Sequence, residues 1–289
     1  THCTSSAASD VYKRQMKWVG NVRKMGSSVD EMGSVSYLWR GADILDPLEV
    51  LPVSDWVGQH VRLEFDGDIH CVETGKRIKK TFGEGLSYDA FRKSPLACPS
   101  IIRPELSRIH EGIALRDEAW ERANHLQPHV VYISKTSHLK VGVTRATNVP
   151  SRWVDQGAVG AIVLANTPYR QLAGEIEVAL KEVLSDRTQW RAMLQEVALD
   201  EEALVEAKEE CMDTLGMAYE SFFEDSDDIT ALSFPVLRHL AKVTSHKLDK
   251  HPRLEGKLVG IKGQYWMFEH GHVWNVRSHA GYRVSLEVG

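Results

Sequence analysis

Tyr132, Lys140, Arg152 and Glu177 follow one another in the middle of the chain, and their types suit phosphodiester chemistry. Hydrolysis of a phosphodiester needs an aligned water, a group that helps take its proton, and positive charge on the developing phosphorane oxygens. A tyrosine can position the nucleophile. Arginine and lysine can neutralise the phosphate. One carboxylate with waters can hold Mg²⁺ or Mn²⁺. Each residue also has a plain structural reading. Tyr132 in a strand packs as an aromatic with its hydroxyl at the edge. Arg152 stacks or pairs beside Trp153, and Glu177 is one acid on a helix surface, with Glu175 as a rival at the same turn. Lys140 can stabilise charge, but a protonated lysine is a poor general base. Order and spacing together make the four a hypothesis worth testing.

The elements that must position them are legible. Two β-branched runs, Val130–Ser134 and Lys140–Thr144, flank a polar gap, which reads as a hairpin. Val159–Leu164 reads as a third strand. Thr167–Leu184 reads as a helix, with Thr167 as N-cap, Pro168 in the first helical position, and Ile176, Leu180 and Val183–Leu184 as an apolar stripe. Asp186–Val197 continues as another helix. Asp200–Phe223 combines strong helix formers with many acids.

The flanks are different in character. Lys17–Val22, Val35–Trp39 and Val61–Phe65 are strand-like, and Asp66-Gly67 before Ile69–Val72 is a hairpin signal. Residues 16–85 therefore form an N-terminal β-rich segment. Residues 86–128 form a connector with Pro95, Pro99 and Pro104, a stretch Glu105–Ile109, and a charged helix over Asp117–Asn124 that Pro128 ends. Residues 129–228 hold the α/β core and acidic helices. Residues 229–289 hold a C-terminal β-meander over Lys257–Val288, which pairs with the N-terminal segment. The expected fold is α+β: a small antiparallel sheet flanked by helices, plus a β-barrel formed by the N- and C-terminal segments. Thr1–Gln15 is small, polar and aperiodic. It reads as a non-native leader or adaptor scar ahead of Met16.

A strand tyrosine, a Lys140-Val-Gly142 strand, an arginine and a helical glutamate, in that order, resemble the core of the GIY-YIG nucleases. By that resemblance Tyr132 lies near the nucleophile, Lys140 and Arg152 face the phosphate, and Glu177 holds Mg²⁺ or Mn²⁺. Val130 stands where the first motif carries glycine, and Lys140 stands where the best-known members carry tyrosine. A branch of the superfamily reads Lys-Ile-Gly there. Gly142 has its own physical reason, since a side chain on it would crowd whatever approaches the strand.

A longer resemblance runs from Cys71 to Arg191 and includes Pro104-Glu-Leu-Ser-Arg-Ile-His-Glu-Gly112, Arg152-Trp-Val-Asp-Gln-Gly-Ala158, Thr167-Pro-Tyr-Arg-Gln-Leu-Ala-Gly174 and Asp186-Arg-Thr-Gln-Trp-Arg191. With Gly260-Ile-Lys-Gly-Gln-Tyr265, it resembles the bacterial family catalogued as domain of unknown function 2797. Members of that family often carry cysteines ahead of the core, suggesting a zinc knuckle. Here Cys71, Cys98 and His110 remain, Ser107 stands where a cysteine is expected, and His70 and Cys71 point to opposite faces of a strand. Three ligands fall short of the four of a structural zinc site, so the knuckle reads as degenerate.

Composition narrows the classes. The 289 residues are 43% hydrophobic and 26% charged, with a net charge of −5, so a nucleic-acid site has to be a local basic patch. Lys135, Lys140, Arg145, Arg152 and Arg170 stand against Asp155 between His129 and Arg170, and Lys135, Arg145 and Arg170 are the expected contacts to DNA or RNA. The helices over Gln171–Asp228 are acidic, and the last meander is basic again. Cys3, Cys71, Cys98 and Cys211 are scattered, which suits a reducing cytoplasm. No apolar run approaches the roughly 18 residues of a membrane span. Three functions stay open: a metal-dependent nuclease, a non-catalytic nucleic-acid-binding module, and a scaffold that presents the acidic helices to a protein partner.

Overall fold

The structure, a computed structural model, describes residues 16–181, 183–184 and 189–289. The expected leader Thr1–Gln15, with Cys3, and residues 186–188 of the expected helix Asp186–Val197 lie outside the described residues. Alternation of side chains builds the core. The strand His129–Lys135 pairs antiparallel with Leu139–Arg145 on one side and Gly160–Thr167 on the other, and Ile229–Ala231 forms the far edge. Val131, Ile133, Val141, Val143, Ile162 and Leu164 point to one face. There they meet Ala173, Ile176 and Leu180 near or on the helix Arg170–Ala179, and Leu204, Ala207 and Cys211 on the helix Glu201–Leu215. Each such aliphatic side chain contributes about 1.5–3 kcal/mol when fully buried. The alternate residues Val130, Tyr132 and Ala161 point the other way, into a cluster shared with Trp153 and Val154.

That second face is covered by the two ends of the chain. Met16–Val22 pairs with Tyr282–Val288, starting at Met16 opposite Val288, and His60–His70 takes the other side of Tyr282–Val288. Arg253–Lys262, Tyr265–Phe268, His272–Asn275 and the short Thr244–Ser245 extend one flank; Gly41–Asp43 and Asp46–Pro47 extend the other. The ends pair as the composition implies, but the expected barrel is corrected. The ten-stranded sheet is open among the described residues. Its outermost strands are two residues long, too short to carry a closing ladder. Five tryptophans fill its inner face. The Trp39 ring centroid lies 5.2 Å from those of Trp18 and Trp266, 6.1 Å from Trp274 and 6.4 Å from Trp56.

Local expectations change, and of the expected helix Asp186–Val197 only Trp190–Met193 is helical among the described residues. Asp66-Gly67 does not turn a hairpin; His60–His70 runs straight through it. Phe65 pairs with Val284 and Ile69 with Tyr282, so residues 66–68 form a bulge opposite Arg283, with Gly67 at φ +96°. The helix after the third strand begins at Arg170 rather than at Thr167–Pro168. Thr167 is still in the sheet opposite His129, and its hydroxyl donates to the carbonyls of His129 and Tyr169 instead of capping a helix. Asp117 and Asp200 do cap theirs, accepting from the amides of Trp120 at 2.7 Å and Ala203 at 3.0 Å. No helix among the described residues is long and apolar enough to cross a membrane.

Candidate functional site

Tyr132 lies opposite Gly142 in the hairpin. The register explains the glycine: a Cβ at Gly142 would sit 2.7 Å from the Tyr132 hydroxyl oxygen and 2.8 Å from its Cζ. The tyrosine ring itself therefore fills the space that sequence reasoning reserved for an approaching group. The ring is fully buried and packs edge-on to Trp153 at 5.8 Å. Trp153 belongs to the short helix Ser151–Asp155, which leads from the second strand to the third. Arg152 and Gln156 are four apart on it, so they share one side. The Tyr132 hydroxyl donates to Gln156 Oε1 at 3.0 Å. Burial raises the Tyr132 pKa, Arg152 lowers it through its charge and a hydrogen bond, and Glu177 raises it again. The half-buried Arg152 thus hydrogen-bonds the buried Tyr132 phenol, and the charge of the half-buried Glu177 acts on the same phenol.

Glu177 reaches this neighbourhood because its helix packs closely. A Cβ at Gly174, one turn earlier, would lie 2.2 Å from the Glu105 backbone nitrogen, so only glycine lets the helix approach the connector. Arg170 at the head of the helix is buried and donates to the carbonyls of Ser100 at 2.8 Å and Ile101 at 2.9 Å. Burial lowers its pKa to about 10; Glu177 opposes that fall, while Arg152 and Arg145 add to it. The Arg170 nitrogens that make those bonds hold the connector. Arg145 donates to Asn124 Oδ1. Lys140 is buried opposite Ser134, and Lys135 is half-buried at the end of the hairpin. The rival Glu175 is exposed and accepts from Gln171.

Sequence reasoning missed the residues that hold the Arg152 helix. Asp155 accepts from Lys24, and from Gln264 Nε2 at 2.9 Å. Arg277 pairs with Glu84, whose carboxyl group is also influenced by Arg152. These partners come from both ends of the chain, at separations no local pattern signals. Gln156 alone had a signal, its i,i+4 spacing from Arg152.

The residual Cys/His set does not gather. Cys71 packs with Leu86 and Ala90, and its sulfur accepts from the Ser87 amide at 3.2 Å. Burial would raise that thiol, but hydrogen bonds from the Thr74 side chain and the amides of Ser87, Glu73 and Thr74 bring it down to about 7. Cys98 accepts from Ser100 Oγ, and His110 stacks on Tyr169 at 4.8 Å. Among the described residues no three of His, Cys, Asp and Glu are placed to hold a metal ion together. For Mg²⁺ or Mn²⁺ the demand is smaller. Such ions often take one or two carboxylates and leave the other positions to water and phosphate oxygens, and the half-buried Glu177 fits that share.

No curated protein and no solved structure matches this chain. A model for the family described as a protein of unknown function, DUF2797, matches residues 58–284. That span is most of the chain and takes in the connector, the hairpin, the Arg152 helix, the Glu177 helix and most of the last meander, so the chain belongs to the DUF2797 family.

Proposed function

We propose that this protein acts on nucleic acid and that Tyr132, Arg152 and Glu177 form a metal-dependent phosphodiesterase site of GIY-YIG type. The observation that carries the reading is the shared neighbourhood of the three, assembled from the strand His129–Lys135 and the helices Ser151–Asp155 and Arg170–Ala179. In this reading Arg152, half-buried and reachable, takes the phosphate. Glu177 is the residue that would hold Mg²⁺ or Mn²⁺, and the ion when bound supplies positive charge to the phosphate oxygens. Tyr132 is too buried to meet substrate broadly. Its hydroxyl, held by Gln156, also bonds Arg152, and its role in this reading is to orient that arginine. Lys140, on the same face of the neighbouring strand as Gly142, adds positive charge beneath the phosphate. Lys135 and Arg145 at the two ends of the hairpin extend the contact along a DNA or RNA backbone.

A second reading, nucleic-acid binding without cleavage, is favoured by one observation: the Tyr132 hydroxyl is fully buried and already bonded to Gln156. The two readings separate in one set of assays on labelled single- and double-stranded DNA and RNA. Metal-dependent cutting that stops with chelator supports the first. Salt-sensitive gel shifts with no cutting support the second, since phosphate contacts weaken steeply as salt rises. Absence of both removes the nucleic-acid reading.

A further inference from the structure

Lys262 ends the strand Arg253–Lys262 and is 2% exposed. No carboxylate and no hydrogen-bond acceptor among the described residues pairs with it; its ammonium lies 5.4 Å from the centroid of the Phe234 ring. It lines a cavity of about 390 Å³, outside the Tyr132 site. Val159, Leu199, Phe234 and Val236 give that cavity apolar walls, and among the described residues Lys262 and His239 are its basic groups and no Asp or Glu lines it. The walls are fixed by backbone bonds from three elements. Leu232 N–H donates to Val159 C=O at 2.9 Å, Ser233 N–H to Gly33 C=O at 2.9 Å, and Ile261 N–H to Pro235 C=O at 2.9 Å. A pocket walled by aliphatic and aromatic side chains with a convergent basic group offers an anion both a charge and an apolar surface.

The charge selects the ligand. Among the described residues the Lys262 ammonium meets the face of the Phe234 ring but no counter-charge, and an anion that enters the cavity supplies one. A cation is repelled. A phosphate dianion would meet a single ammonium and apolar walls. A monocarboxylate on a compact apolar body matches both features. We infer that this cavity binds a small carboxylic acid as its carboxylate, with the anion on Lys262 and the apolar body against Val159, Leu199 and Phe234. This inference does not rest on the nucleic-acid reading. Burial lowers the Lys262 pKa to about 8, so the site carries its charge at neutral pH and loses it in mild alkali.

The test is calorimetric titration of the full chain with butyrate and with benzoate, beside benzamide and inorganic phosphate. The expected result is binding of at least one carboxylate, with benzamide and phosphate at least tenfold weaker. Raising the pH from 6.5 to 9.5 lowers carboxylate affinity by at least tenfold, because a lysine with a pKa near 8 is then only about 3% protonated. Lys262→Met loses the binding while melting no lower than the parent chain, and the pH arm on the unaltered chain needs no variant. Four results each overturn the inference: equal binding of benzamide, binding kept in Lys262→Met, affinity unchanged at pH 9.5, or neither carboxylate binding at about 10 mM, the millimolar range where a few kcal/mol of affinity would register.

Discussion

Gly142→Ala tests the geometry of the proposed site without touching a charged group. The backbone there is ordinary strand, so the added methyl is judged by packing alone. Its Cβ would stand 2.7 Å from the Tyr132 hydroxyl oxygen, 2.8 Å from Cζ and 3.2 Å from Cε2. Tyr132 has nowhere to retreat, because it is wholly buried beside Trp153. Overpacking of this kind costs about 1–3 kcal/mol. Displacing the ring also breaks its bond to Gln156, worth a further ~0.5–1.5 kcal/mol. The expected loss is therefore about 1.5–4.5 kcal/mol. Denaturant unfolding reads it as a shift of midpoint at unchanged slope. In a Tyr132→Leu background the same substitution should cost less than about 0.5 kcal/mol, since the clashing atoms are gone. An equal loss in both backgrounds, or a loss below about 0.5 kcal/mol in the parent, refutes the claim that the glycine exists to seat the tyrosine.

Other perturbations follow from the same contacts. Gly174→Ala should destabilise by about 2–3 kcal/mol despite the better helix propensity of alanine, because its Cβ meets the Glu105 backbone at 2.2 Å; a gain in thermal melting would contradict the packing. Burial depresses His125, His129 and His279 to about 4, so the unfolded chain takes up protons first as pH falls below about 6.5. Stability is then full above pH 6.5 and is lost progressively toward pH 4, by up to about 3 kcal/mol for each histidine, and unfolding midpoints at pH 7 and 4.5 measure it. Lys262→Met should raise stability at pH 7 by up to about 3 kcal/mol, since a buried base near pKa 8 resists the proton that the unfolded chain holds until about 10.5. That gain should shrink between pH 8 and 10.5; a constant difference across this range would show that the ammonium is not the cause.

The core was legible because its signals are local. Hairpin, third strand and acidic helix follow from β-branched runs and a stretch of strong helix formers; the strands and the start of the helix stand within a few residues of their expected places, but the helix ends at Leu215 rather than Phe223. The open sheet was half legible: the strands are where the apolar runs put them, but whether a ladder closes depends on edge lengths and on packing between distant segments. Asp66-Gly67 misled because a glycine at positive φ serves a bulge as well as a turn, and only the partner strand decides between them. Thr167 misled because its hydroxyl had a sheet carbonyl within reach. At the candidate site, Tyr132, Arg152 and Glu177 are proposals drawn from residue type, order and resemblance. The Lys24–Asp155–Gln264 links that hold the Arg152 helix could not, because they join segments more than 100 residues apart. Lys262 carried no sequence signal at all, since a lysine at the end of a meander strand reads as a solvated charge.

The most direct measurement of the central claim is metal-dependent cleavage of labelled DNA and RNA by the parent chain, Glu177→Ala and Glu175→Ala side by side. The expected result is cutting with Mg²⁺ or Mn²⁺ by the parent and by Glu175→Ala, and its loss in Glu177→Ala with the fold intact. Cutting retained by Glu177→Ala, or no cutting by the parent on any of the substrates, would contradict it.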